Sequence, residues 1–414
     1  MYNTIEAKLS PDTQAVLLLC GHFGQKASSE IKPLTPSEYA WMVQWLQEQN
    51  MRPADLLDTA ATTKLKHIAY KDITAGRLIG LLMRGGALAL AIEAWTNKGL
   101  WVISRGDKAY PSRLKKHLGQ AAPPIFYGVG QPNLLERGGL AIVGSRNIDK
   151  PIIDFTKAIA KKSAHQKITV ISGGARGVDT EAMLTTLTHG GTAVGVLADK
   201  LATAAVAGKY REALREERLV LISAFDPNAG FNIGNAMARN KYIYVLADWA
   251  VVVNSDYQKG GTWSGAVENL RAKWVPLFVR KDESIPEGNQ QLLNQGAIAL
   301  EKKDFMDLQQ RLGQLSSVVT PDKEEVVPSE DIKITDPENS PIVTDIFDLV
   351  WPHIEQRLTI ARTEAELATD LKIEPKQLKV WLTRALKMGQ IKKLKKPVRY
   401  IVNTEDELQP SLFG

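Results

Sequence analysis

The chain has 414 residues, 44% of them hydrophobic and 24% charged, with a formal net charge of +6. That length exceeds one ordinary core and predicts two or three folded domains, and the balance of residues excludes a disordered chain. A single cysteine, Cys20, excludes a disulfide framework or a cysteine metal cluster and fits a reducing compartment.

Residues 1–98 read as an N-terminal helical, SAM-like domain. Thr35-Pro36-Ser37-Glu38 is a capping box with proline at the first helical position. Tyr39, Trp41, Met42, Trp45 and Leu46 then recur at helical spacing, which predicts a packed face rather than a base-stacking surface. Leu78–Trp95 predicts a helix pair broken at Gly85-Gly86. The start of the chain has no basic, then apolar, signal pattern, and no apolar run reaches bilayer length. The expectation is a cytoplasmic protein with no membrane partner.

Residues 99–300 change texture. The runs "LAIVGS", "ITVISGG", "TAVGVLA", "RLVLIS", "AVVVNS" and "VPLFVR" alternate with amphipathic, helix-length segments. This rhythm predicts an α/β fold, an extended Rossmann-like, doubly wound and mostly parallel sheet. Residues 301–340 are expected to be an acidic, proline-punctuated linker, since 321–340 holds seven Asp/Glu against two Lys. Residues 341–414 predict a winged-helix domain. Thr363–Leu371 and Glu374–Met388 form its last two helices, and a basic hairpin turns at Lys395-Lys396-Pro397.

Two stretches in the α/β region carry chemistry, "AIVGSRN" (141–147) and "ISGGARGVD" (171–179). Each is a strand that stops at glycine and then offers an arginine. Gly144, Gly173, Gly174 and Gly177 let backbone approach a ligand, and the following helix aims unpaired amides at the same point. Ser145, Ser172, Arg146 and Arg176 add donors suited to phosphate oxygens. Arg239-Asn240-Lys241 forms a third basic cluster. A fourth corner, "NSDYQKGGTWSGAVENL" (254–270), adds Gly261 and Thr262, with Lys259 and Trp263 as secondary candidates beside Lys200. Phe231, Tyr257 and Trp263 are candidate stacking surfaces.

Phosphates of a dinucleotide and of a nucleic-acid backbone both fit such corners. The GxGxxG fingerprint is not met, although Asp199 stands where a ribose-binding acid would, and the Walker A pattern is absent. Four corners make a groove longer than one cofactor needs. The six histidines are scattered without metal-ligand spacing, and Ser172 has no nucleophile elbow. No metal site or catalytic residue is therefore expected, and a dinucleotide stays a rival ligand.

"ISRGDKAYPSRLKKHLGQAAPPIFYGVG" leading into "LAIVGSRN", then "VISGGARGVDTEAM" and "ARNKYIYVLAD", resembles the DprA/Smf family of DNA-processing proteins. The resemblance covers about Trp101–Arg280, and the tail is similar to the family's C-terminal domain. It implies a single-stranded-DNA-binding protein of recombination or natural transformation, a homodimer that loads a RecA-type recombinase, with no enzymatic activity and no cofactor. The matching positions are Ser145 and Arg146; Ser172, Gly173, Ala175, Arg176, Gly177 and Asp179; Arg239, Asn240 and Lys241; and Gly261, Thr262 and Ala266. The chain departs from the family pattern at Trp263-Ser264-Gly265, in "ADKLATAAVAGKYREAL" around Lys200, and in lacking a clear helix-hairpin-helix signature.

Two alternatives stand beside this. One is a DprA-like regulator acting through a protein partner, such as the toxin of a phage-defence pair. The other is a LOG-type nucleotide phosphoribohydrolase, for which Gly260-Gly261-Thr262 reaches a glutamate, Glu268, one residue late. The tail has its own signal: Lys392, Lys393, Lys395, Lys396 and Arg399 follow Lys376, Lys379, Arg384 and Lys387. That pattern suits a nucleic-acid or protein contact.

Overall fold

Apolar runs too short for helices and buried along their whole length build the sheet. The computed structural model describes residues 9–23, 31–58, 61–66, 68–282, 285–319, 351, 354–371, 375–394 and 398–403. It divides into two units, Met1–Glu324 and Glu325–Gly414. In the first, β1 (Ala69–Tyr70) and β2 (Ile73–Thr74) form a short antiparallel ribbon. The main sheet comprises β3 (Trp101–Ser104), β4 (Ile125–Gly130), β5 (Leu140–Val143), β6 (Val170–Ser172), β7 (Ala193–Val196), β8 (Leu219–Ser223), β9 (Trp249–Val252), β10 (Leu277–Arg280) and β11 (Ile298–Leu300). Its order is β11-β10-β9-β5-β6-β7-β8-β4-β3.

The strands from β5 to β11 are mutually parallel, and β4 pairs antiparallel with both β8 and β3. The mostly parallel α/β fold expected from the sequence is the one observed. β5, β7 and β8 are buried throughout, as parallel strands covered by helices on both faces must be. Helices Lys150–His165, Val178–Thr188, Gly208–Arg215, Ile233–Val245, Gly260–Ala272 and Glu287–Asn294 lie on the crossovers. Asp149 and Asn232 cap two of them through their side chains. Because β5 neighbours both β6 and β9, the strand order reverses there, and a crevice opens at the carboxyl ends of β5 and β9.

The Thr35–Glu38 capping box forms as the sequence predicts. Tyr39, Met42 and Leu46 are buried, while Trp41 lies half-buried and stacks on Tyr70 with ring centroids 4.5 Å apart. The break in the second helix pair falls at Met83-Arg84. Gly85-Gly86 instead open the helix Gly85–Thr96, and the chain turns at Arg84, whose ψ of 20° leaves the helical range. These helices do not close a core of their own. Leu17, Met42, Leu78 and Trp95 pack in one cluster with Tyr127, Leu219 and Leu221 of the sheet. A separate 1–98 core is thus not what the packing shows. Burying such side chains contributes about 1.5–3 kcal/mol each, so the sheet face and the helices stabilise one another.

Residues 301–319, expected to begin the linker, instead form a short 3-10 turn at Lys302–Phe305 and the helix Leu308–Val319. Phe305, Leu308 and Leu312 join Phe155 and Phe278 in the core below β10. Residues 321–340 lie outside the described residues. No single described helix is long and apolar enough to cross a membrane.

The second unit has helices Glu364–Leu371 and Pro375–Lys387, followed by β12 (Ile391–Leu394) and β13 (Arg399–Val402), an antiparallel pair. Leu367, Leu378, Leu382, Ile391 and Tyr400 form its core. Lys395 and Lys396 lie outside the described residues, as do residues 341–350, where the domain is expected to begin.

Candidate nucleic-acid interface

Each apolar strand ends in a polar turn, and the turns after β5, β6, β7 and β9 converge on one face. Three cavities of about 650, 580 and 730 Å³ lie there. The first is lined by Gly144, Ser145, Arg146, Lys259, Gly261 and Thr262 together with Phe231 and Arg239. The second is lined by Gly173, Gly174, Arg176, Asp199, Lys200 and Lys209, and the third by Arg176, Gly177 and Lys209. Arg146 lines all three.

Backbone geometry holds the turns together. Gly177 takes φ +94°, and a Cβ there would sit 2.3 Å from the Ser145 carbonyl oxygen, so the β6 turn nests directly on the β5 turn. The Ser145 amide donates to Asn254 Oδ1 at 3.0 Å, and Asn254 Nδ2 donates to Ser145 Oγ. Thr262 Oγ1 donates to the Gly144 carbonyl at 2.9 Å, which ties the helix Gly260–Ala272 to the β5 turn. Asn240 Nδ2 donates to the Gly261 carbonyl at 2.9 Å.

The cations divide into two kinds. Arg146, Arg176, Lys200, Lys209 and Lys259 are exposed, and among the described residues no ion pair engages them. The Arg146 guanidinium lies 4.7 Å from the Phe231 ring centroid, and Arg176 Nη2 donates to Asn147 Oδ1 at 2.7 Å. Phe231 itself is 52% exposed. Arg239 is the opposite case. It is 5% exposed, its Nη1 lies 3.7 Å from Asp179 Oδ2, and its Nε and Nη1 make no hydrogen bond. Burial pulls the Arg239 guanidinium below its ordinary value, while Asp179 opposes that shift. Burial likewise pushes the Asp179 carboxyl up, against Arg239 and the amides of Ala175 and Gly144, which favour its ionised form.

Several expected contacts therefore need correction. Arg239 lines the first two cavities with little surface, since its guanidinium is turned toward the Asp179 carboxylate beneath Gly173, where a Cβ would sit 1.3 Å from Nη1. Lys241 lines none of the three cavities and lies 5.6 Å from the Tyr242 ring centroid. Ser172 is fully buried and donates to the Ile142 carbonyl at 2.6 Å. Trp263 is buried and packs edge-on against Tyr257 at 5.1 Å, so neither ring lines the cavities. Glu268, the glutamate of the hydrolase alternative, is exposed on its helix and lines none of the three cavities. Residues that sequence reasoning missed are Lys209, Asn254 and the exposed Ile233 and Met237 at the rim. Asn254 follows directly on an apolar run and could have been flagged. Lys209 carries no local signal, since it lies in the helix Gly208–Arg215 after β7, one strand on from Arg176 and two from Arg146.

The family model described as DNA recombination-mediator protein A matches residues 101–310, just over half of the chain. The chain belongs to that family. The matched span runs from β3 into the helix Leu308–Val319, past the expected end of the α/β domain at residue 300. DNA processing protein A of Streptococcus pneumoniae shares the fold, with a TM-score of 0.53 at 17% identity over 66% of this chain and 92% of that one. The Helicobacter pylori DNA processing protein A, described for its single-stranded DNA binding mode, has a TM-score of 0.42 at 22% identity over 52% and 95% of the chains. A molybdenum cofactor carrier protein of Chlamydomonas reinhardtii has a TM-score of 0.31 at 19% identity over 43% and 99%. No curated protein matches the chain.

Proposed function

We propose that this member of the DNA recombination-mediator protein A family binds single-stranded DNA across the carboxyl ends of β5, β6, β7 and β9. The observation that carries the reading is Arg146, an exposed guanidinium common to three cavities and stacked on an exposed phenylalanine. Arg146, Arg176, Lys200, Lys209 and Lys259 take phosphates, and Phe231 offers its free face to a base. Arginines and amides hold a backbone without reading sequence, so binding is sequence-tolerant and falls steeply with salt. The described Helicobacter relative, characterised for single-stranded DNA binding, is in keeping with this. The family's description as a recombination mediator is in keeping with a role in handing the strand to a RecA-type recombinase; a cytoplasmic homodimer without catalysis completes the reading. The second unit is read as a winged helix that extends or regulates binding.

Titration of labelled oligothymidylate across a salt series tests the reading. Arg146→Ala and Arg176→Ala should each weaken binding roughly 10-fold or more, as loss of a charge-assisted contact does. Each should also flatten the salt slope by about 0.7. Wild-type affinity in both variants would refute the assignment.

A further inference from the structure

The Asp179–Arg239 pair has a place in this site that phosphate recognition does not require. A carboxylate beside an anion-binding groove opposes the anion by simple Coulomb repulsion, and an arginine only 5% exposed, its Nη1 turned to a carboxylate, has little surface left for a phosphate. Yet both are buried where the two glycine turns meet. Asp179 is 6% exposed and begins the helix after the β6 turn, while Arg239 comes from a different crossover helix, after β8. Their charged atoms fill the space that a Cβ on Gly173 would need, Arg239 Nη1 at 1.3 Å and Asp179 Oδ2 at 2.5 Å. Next to them, Val178 donates its amide to the Ser145 carbonyl at 3.3 Å, and a Cβ on Gly144 would meet Val178 at 2.5 Å. Side chain and backbone from three crossovers thus meet at one buried point, directly behind Gly144 and Gly173.

We propose that Asp179 and Arg239 are positioning residues, which hold the β5 and β6 turns in register so that Arg146 and Arg176 face one strand of DNA. The inference rests on the single-stranded-DNA reading for its affinity measurements. The amides of Gly144 and Ala175 favour the ionised Asp179 carboxyl, in keeping with that geometry. A buried pair is an effective brace because removing one partner strands the other charge in a low-dielectric interior.

The sign of the effect separates this role from a plain electrostatic one. If Asp179 were only a negative charge near the groove, Asp179→Asn would raise affinity for oligothymidylate. As a positioning residue, Asp179→Asn should lower affinity roughly tenfold while leaving the salt slope unchanged. Arg239→Met should do the same, whereas a phosphate-contacting arginine would lose about 0.7 of slope. Unchanged or tighter binding in Asp179→Asn, or a flattened slope in Arg239→Met, overturns the proposal. Should either variant fail to fold, amide hydrogen exchange on the wild-type protein decides. Gly144 and Ala175 amides should exchange far more slowly than those of an open loop, and exchange at open-loop rates overturns the tie. A wild-type protein that ignores oligothymidylate would refute the proposed function, while the exchange measurement would still judge the pair.

Discussion

The cavity face of the sheet and the basic hairpin of the second unit both announced themselves as clusters of lysine and arginine, and they are built differently. On the sheet, the charges project from turns whose backbone is locked: Gly177 nests on Ser145, Thr262 holds Gly144, and Phe231 and Asn147 steady the two arginines. On the hairpin, Lys392 and Lys393 stand on an exposed strand segment, with Lys393 5.9 Å from the Tyr400 ring centroid. A cation held on a locked turn loses little freedom on binding. Equal charge counts therefore do not mean equal sites. Concavity and backbone closure distinguish them.

The comparison can be broken most forcefully at its hinge. Gly177→Ala forces a side chain into φ +94° and against the Ser145 carbonyl. It should cost about 2–4 kcal/mol of stability, read by denaturant unfolding, and roughly 100-fold in oligothymidylate affinity. Wild-type values in both would mean that the nested turns do not matter. Phe231→Ala sharpens the stacking half of the argument. Affinity should fall roughly tenfold with the salt slope intact, since a stacked base contributes about 1–3 kcal/mol and no counterion release. Lys379→Ala combined with Lys393→Ala tests the hairpin side and should change single-strand affinity less than about threefold, because exposed lysines act mainly through screened charge. A loss as large as that of Arg146→Ala would erase the distinction.

The smallest expected effect concerns the N-terminal helices that buttress the sheet. Arg77 hydrogen bonds to Glu38, at 2.6 Å, hold its carboxyl below the ordinary value of 4.5, and the Thr35 amide adds to this. A carboxyl lowered in the folded state stabilises at pH above its ordinary value, and that contribution is lost as the pH falls through the lowered one. Stability should thus decline below about pH 4.5. Glu38→Gln should cost about 1 kcal/mol at neutral pH and flatten that acid limb, as measured by thermal unfolding at several pH values.

The two kinds of arginine mark how far the sequence carries. Strand ends, glycine corners and caps are local: "AIVGSRN" and "ISGGARGVD" state where backbone turns and where a helix begins, and both turns appear at their expected places. The capping box at Thr35–Glu38 is equally local and equally legible. Burial is not local. Arg146 and Arg239 both sit in motifs that read as phosphate contacts, but only packing put Asp179 against one and Phe231 against the other.

The same limit explains the boundaries at residues 98 and 301. The N-terminal helices and the segment 301–319 were legible as elements or as polar chain, while the apolar surface that receives them belongs to strands far away in sequence. The sequence by itself determined the alternation of strands and helices, the direction of the sheet and the family, because these rest on short-range periodicity and on motif order. Only the tertiary structure decided which charges face solvent and which brace the turns. A side chain's dielectric surroundings are supplied by residues that no local pattern names.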